Sequence, residues 1–90
     1  MNTYTPPTPM LIDTVAPDVF YGLCAHLNEV LTDESPCDNS LSRSIAWLKE
    51  NGHDVDIYER FLTSNGGFCD CEVLMNVRYH IGDWLQYVCG

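Results

Sequence analysis

The chain has 90 residues, 46% of them apolar. That is enough for one domain with a real core, and it excludes wholesale disorder. Thirteen acidic against four basic residues give a formal charge of −9, which argues against direct nucleic-acid binding because phosphates repel such a surface. No apolar run approaches the ~20 residues of a membrane-spanning helix, so no membrane partner is expected.

Residues 1–15 form a flexible proline-rich arm on this reading, with Pro6, Pro7 and Pro9 among threonines. The start, Met1-Asn2-Thr3-Tyr4, has neither the basic nor the apolar segment of a signal peptide. The reading is therefore a cytoplasmic protein, in which the five cysteines serve as metal ligands, core filler or reactive thiols rather than disulfide staples.

Residues 16–90 read as one helical domain. Asp13 or Thr14 can cap a first helix with Pro17 in its opening turn. Val19, Phe20, Leu23, Cys24, Leu27, Val30 and Leu31 then recur at helical spacing. Cys24 lies on that stripe and is expected in the core. Thr32 to Pro36 breaks the helix, and Asp38, Asn39 or Ser40 caps a second one carrying Leu41, Ile45, Trp47 and Leu48. It stops at Asn51-Gly52. A third helix runs from about Asp54 to Ser64 and ends at Asn65-Gly66-Gly67.

Beyond Phe68 the pattern is ambiguous. Val73-Leu74-Met75-Asn76-Val77 suits a helix entered through the Cys-Asp-Cys turn, with a buried strand near residues 72–77 as the alternative. Gly82 interrupts, Asp83 caps again, and Trp84, Leu85 and Val88 suggest a short terminal helix. The fold class is mostly α: a compact bundle of three to five short helices around a Cys-centred site. Phe20, Leu23, Leu27, Ile45, Leu48, Phe61 and Leu62 are the expected core.

That site rests on Cys37, Cys69 and Cys71, which stand where helices end or begin. Thiolates one residue apart can converge on one ion, and sulfur at such spacing suits zinc. Spacing alone leaves metal binding and reduced core packing equally open. His80, Cys24, Cys89, Asp38 or water could complete a tetrahedral zinc site, with His80 taken as the working choice. A thiol nucleophile, Cys69 or Cys71 with His80 or His53 as base, is the catalytic alternative. Asp70 and Glu72 could hold a cation, or could be solvated or cap a helix.

Cys37-Asp38-Asn39-Ser40-Leu41, Trp47-Leu48, Asn51-Gly52 and above all the run from Gly66 to Val77 (GGFCDCEVLMNV) resemble a family of small bacterial domains without an assigned function. Its members share a Cys-Asp-His-Thr-Leu-like and a Gly-Gly-Tyr-Cys-Asp-Cys-Glu-Val-like stretch. The likeness covers roughly residues 18 to 78, and Cys37, Cys69 and Cys71 match the family's cysteines. Asn39 stands where the family's His is expected, which argues against a His ligand at that place. The resemblance implies a domain type and no activity.

The functional expectation is a small intracellular binding or regulatory module with a structural zinc, not an enzyme by preference. Its partner would be a protein, basic or nucleic-acid-binding, met by Glu29, Asp33, Glu34 and Asp38, or by Asp54, Asp56 and Glu59. A phage-type acidic inhibitor of a host nucleic-acid-binding defence protein is the second reading, and a thiol- or metal-dependent enzyme the third.

Overall fold

Pro17 opens α1 (Pro17–Val30) with its φ already helical and no N–H to leave unpaired. The expected caps do not act. Ala16 is the cap residue, and its N–H donates to the Tyr58 hydroxyl at 3.2 Å. Thr14 ends a 3-10 turn (Ile12–Thr14), its hydroxyl donating to the Leu11 carbonyl at 2.6 Å. That tertiary bond fixes the residue at which the helix begins, without capping the N–H groups of its first turn. The computed structural model describes residues 7–89, the side chain of Cys89 excepted.

After α1, Thr32 and Ser35 close a turn by reciprocal backbone bonds of 3.2 and 3.1 Å. α2 (Ser42–Glu50) follows and stops at Asn51, whose amide donates to the Trp47 carbonyl at 2.8 Å. Gly52 turns the chain with φ 74°, and Asp54 caps α3 (Val55–Ser64) by accepting the Ile57 N–H at 3.2 Å. These boundaries follow the sequence signals closely. α3 ends as Gly66 takes φ 91° and the Gly67 N–H donates to the Leu62 carbonyl at 2.8 Å.

The remainder is helical throughout: α4 (Asp70–Glu72), a π-helical segment (Val73–Val77) and α5 (Arg78–Cys89). The junction residues Val73 and Arg78 keep helical φ and ψ. No strand occurs among the described residues, so 72–77 is helical as first read and the strand alternative falls. Val73, Val77 and Ile81 are fully buried at intervals of four. Steps of four overshoot an α-helical turn by about 40°, and the wider π turn corrects the first of them. Gly82 does not interrupt: α5 continues through it. Ile81 is buried and Trp84 and Leu85 pack on the core, which outweighs the roughly 1 kcal/mol a helical glycine costs.

α1, α3 and the last helical rod meet in one core of Phe20, Leu23, Cys24, Leu27, Phe61, Leu62, Val73, Val77 and Ile81. Phe20 and Phe61 pack edge to face, with centroids 5.6 Å apart. Leu48 is fully buried, whereas Ile45 is only half-buried. Ile12 also joins the core. Asn65 pins the segment before it, accepting the Met10 N–H at 2.9 Å and donating to the Met10 carbonyl at 2.8 Å. The docked part therefore starts by Met10, inside the stretch 1–15 assigned to an arm. Residues 1–6 lie outside the described residues. No helix among the described residues is long and apolar enough to cross a membrane.

Candidate metal centre

The Asn65-Gly66-Gly67 stop releases the chain into an extended Cys69 (φ −148°, ψ 167°), which stands at the cap position of α4. Cys71 follows in the first helical turn. Their Sγ atoms lie 3.2 Å apart. The loop before α2 brings Cys37 to the same place, where the Cys71 N–H donates to its sulfur at 3.5 Å. The three Sγ atoms all lie within 4.8 Å of one another. Cys69 is buried, and Cys37 and Cys71 are half-buried.

Cys37 and Cys69 sit in opposite electrostatic settings. Burial works against the Cys37 thiolate. The N–H groups of Cys71 and Asn39 and the thiols of Cys71 and Cys69 outweigh that effect and hold its pKa below the ordinary thiol value. Burial pushes the Cys69 thiol up to about 12, against the Glu72 N–H and with help from Cys71 and Cys37. Glu72 leans on the same turn: its Oε1 accepts the Phe68 N–H at 3.3 Å and the Cys69 thiol at 3.5 Å.

The three thiols are close enough to hold a metal ion. Zn–S bonds of about 2.3 Å in a tetrahedron place sulfurs roughly 3.8 Å apart, so three sulfurs already within 4.8 Å need only small shifts. A π segment directly follows the turn, a placement common at functional sites.

Asp70, between the two cysteines, has a role that local sequence does not reveal. It is fully buried, and its carboxylate caps α2 from another part of the chain. Oδ2 accepts the Arg43 N–H at 3.2 Å, and Oδ1 accepts the Ser44 N–H at 3.0 Å and the Ser44 hydroxyl at 2.6 Å. The Asp70 N–H donates to the Ser40 carbonyl at 2.9 Å. Asp38, a candidate cap, instead accepts from the Ser40 N–H and hydroxyl and from the Ser42 hydroxyl. The Ser40 hydroxyl in turn accepts the Ser42 N–H.

The other sequence candidates fall elsewhere. His80 is half-buried on α5 and is not part of the thiol group. Cys24 is buried in the α1 core, where desolvation pushes its thiol up to about 11. Asp38 is occupied as above, and the Cys89 side chain lies outside the described residues. His53, in the α2–α3 turn, packs at a tilt between Trp47 and Tyr58, with ring centroids 5.7 and 5.8 Å away. Glu29, Asp33, Glu34 and Asp38 are all exposed, on the end of α1 and the loop after it. Asp54 and Asp56 are exposed and Glu59 is half-buried.

Fold and site together define a small helical domain built around a three-cysteine cluster. The chain belongs to a family of proteins of unknown function (DUF2695), whose sequence profile matches residues 23–76 and so takes in all three cysteines. Over 65 residues it is 31% identical to uncharacterised proteins of Mycobacterium bovis and of two Mycobacterium tuberculosis strains. That alignment covers 72% of this chain and 65% of each relative, so the chain spans less than two thirds of their length. No solved structure matches it.

Proposed function

We propose that Cys37, Cys69 and Cys71 hold one zinc ion for structure, in a small intracellular module that works by binding rather than catalysis. The observation supporting this is the convergence of three thiols from two distant segments to within 4.8 Å. Bound zinc would cross-link the loop before α2 to the turn before α4, a clasp on the order of 10 kcal/mol in small domains. The protein's part is to keep three sulfurs close with their N–H partners in place. The exposed acids Glu29, Asp33, Glu34 and Asp38 then offer a face to a basic protein partner.

Metal analysis of protein purified without chelator tests the core of this reading. The expected result is one zinc per chain, lost in Cys69→Ser and stripped by EDTA with a clear fall in Tm. Protons compete with zinc for thiolates, so metal should leave more readily as pH falls below about 6. Metal-free protein whose Tm ignores EDTA would overturn it.

A further inference from the structure

Leu41 stands at the cap position of α2 with no side-chain bond, and local sequence serves only the Ser42 N–H, through the Ser40 hydroxyl. The next two, of Arg43 and Ser44, are met by Asp70, whose neighbours on both sides are the paired cysteines. A fully buried carboxylate in a chain of charge −9 needs a cation, and Arg43 is one of only four basic residues. Its Nη1 lies 3.7 Å from Asp70 Oδ2, buried and without a hydrogen bond. Its Nη2 donates to the Ser35 hydroxyl at 3.0 Å and to the Pro36 carbonyl at 3.1 Å. One guanidinium therefore spans from the Cys-Asp-Cys turn to the two residues just before Cys37.

We propose that Asp70 and Arg43 are positioning residues of the thiol site, a latch through which filling of the three sulfurs sets the conformation of the acidic loop 32–38. The inference rests on reading Cys37, Cys69 and Cys71 as one metal site. The loop is held at one end by the Cys37 sulfur and at Ser35 and Pro36 by Arg43. The unsatisfied Nη1 is the slack: drawing the turn and Cys37 together shortens the 3.7 Å contact into a charge-assisted hydrogen bond. Asp33, Glu34 and Asp38 ride on that loop, so their presentation to a partner follows the state of the sulfurs.

Arg43→Gln, Arg43→Lys and Asp70→Asn in the full chain test this, with Co²⁺ and Zn²⁺ alone as probes. Co²⁺ absorption reports affinity and thiolate geometry, and amide exchange reports the loop. Zinc should slow exchange over 32–38 several-fold in the wild type. Arg43→Gln should bind Co²⁺ about 10–100-fold more weakly, as loss of outer-sphere support commonly does, and should lose the slowing. Arg43→Lys should not rescue it, because one ammonium cannot serve both sides as the fork does. Wild-type affinity together with wild-type slowing in Arg43→Gln overturns the latch. If Asp70→Asn fails to fold, Arg43→Gln decides alone, its side chain being 24% exposed.

If the wild type takes up neither ion, the metal reading fails and the latch is judged in metal-free protein. Arg43→Gln should then exchange several-fold faster over 32–38, and alkylation of Cys37 should change rate. Rates equal to wild type would overturn it.

Discussion

Gly67 and Val77 approach so closely that no methyl group fits between them: a Cβ on Gly67 would stand 2.7 Å from Val77 Cγ2 and 3.1 Å from the Leu62 carbonyl oxygen. The chain leaving α3 is thereby pressed against the π segment, which sets where Cys69 begins. Gly67→Ala should cost about 1–3 kcal/mol, as overpacking does, and should weaken metal uptake as well. Urea denaturation checks the first effect, and a stability within 0.5 kcal/mol of wild type would show that the contact yields.

The core makes a second demand. Leu48 and Phe61 are fully buried on α2 and α3, helices too short to persist alone. Truncating either to alanine should cost about 2–5 kcal/mol, a large share of the stability of a domain this size. A loss below about 1 kcal/mol would mean that the site repacks or that its helix is held from elsewhere.

The cysteines should differ in chemistry as they differ in setting. Burial raises the Cys24 thiol from 9.0 to about 11, while the Cys37 thiol is held below the ordinary value. With chelator present at pH 7.5, alkylation should label Cys37 at least ten times faster than Cys24, since the thiolate is the nucleophile. Cys24 also links stability to alkaline pH. Its folded pKa is raised, so its contribution is complete below pH 9.0 and lost as pH climbs through about 11. Peptide mass spectrometry and melting curves read the two effects. Equal labelling of the two thiols would contradict both.

Helices 1 to 3 were legible because each buries one face, and apolar residues recur accordingly. Cys69 and Cys71 announced themselves through one local turn, and Cys37 through its place before a helix. Asp70 could not be read in this way: its partners are 26 and 27 positions away in sequence, and a helix capped from a distance leaves no motif beside it. Ile12 closes the short apolar run Met10-Leu11-Ile12, which follows the proline–threonine stretch and is too brief to show a period. Gly82 misled because propensity is a weak signal where the flanking residues are buried.

The acidic loop makes the last demand. If Glu29, Asp33, Glu34 and Asp38 meet a basic partner, capture should fall steeply with salt, as the Debye length drops from about 10 Å at 0.1 M to about 3 Å at 1 M. Pull-down at both salts with the wild type and a Glu34→Lys/Asp38→Lys pair measures it. Retention that ignores both salt and charge reversal would leave these acids a solubility role alone.

The π segment gives the thiol turn and the far end of the last helix a single rotational setting. An α-helix turns by about 100° per residue, so removing one residue from 73–77 to restore even winding would swing the two ends apart by that angle. Were the core to keep Ile81, Trp84 and Leu85, Cys69 and Cys71 would rotate off Cys37. Were the sulfurs to stay together, those three side chains would leave the interior. Chain length between site and core therefore cannot change by a single residue without giving up one of them.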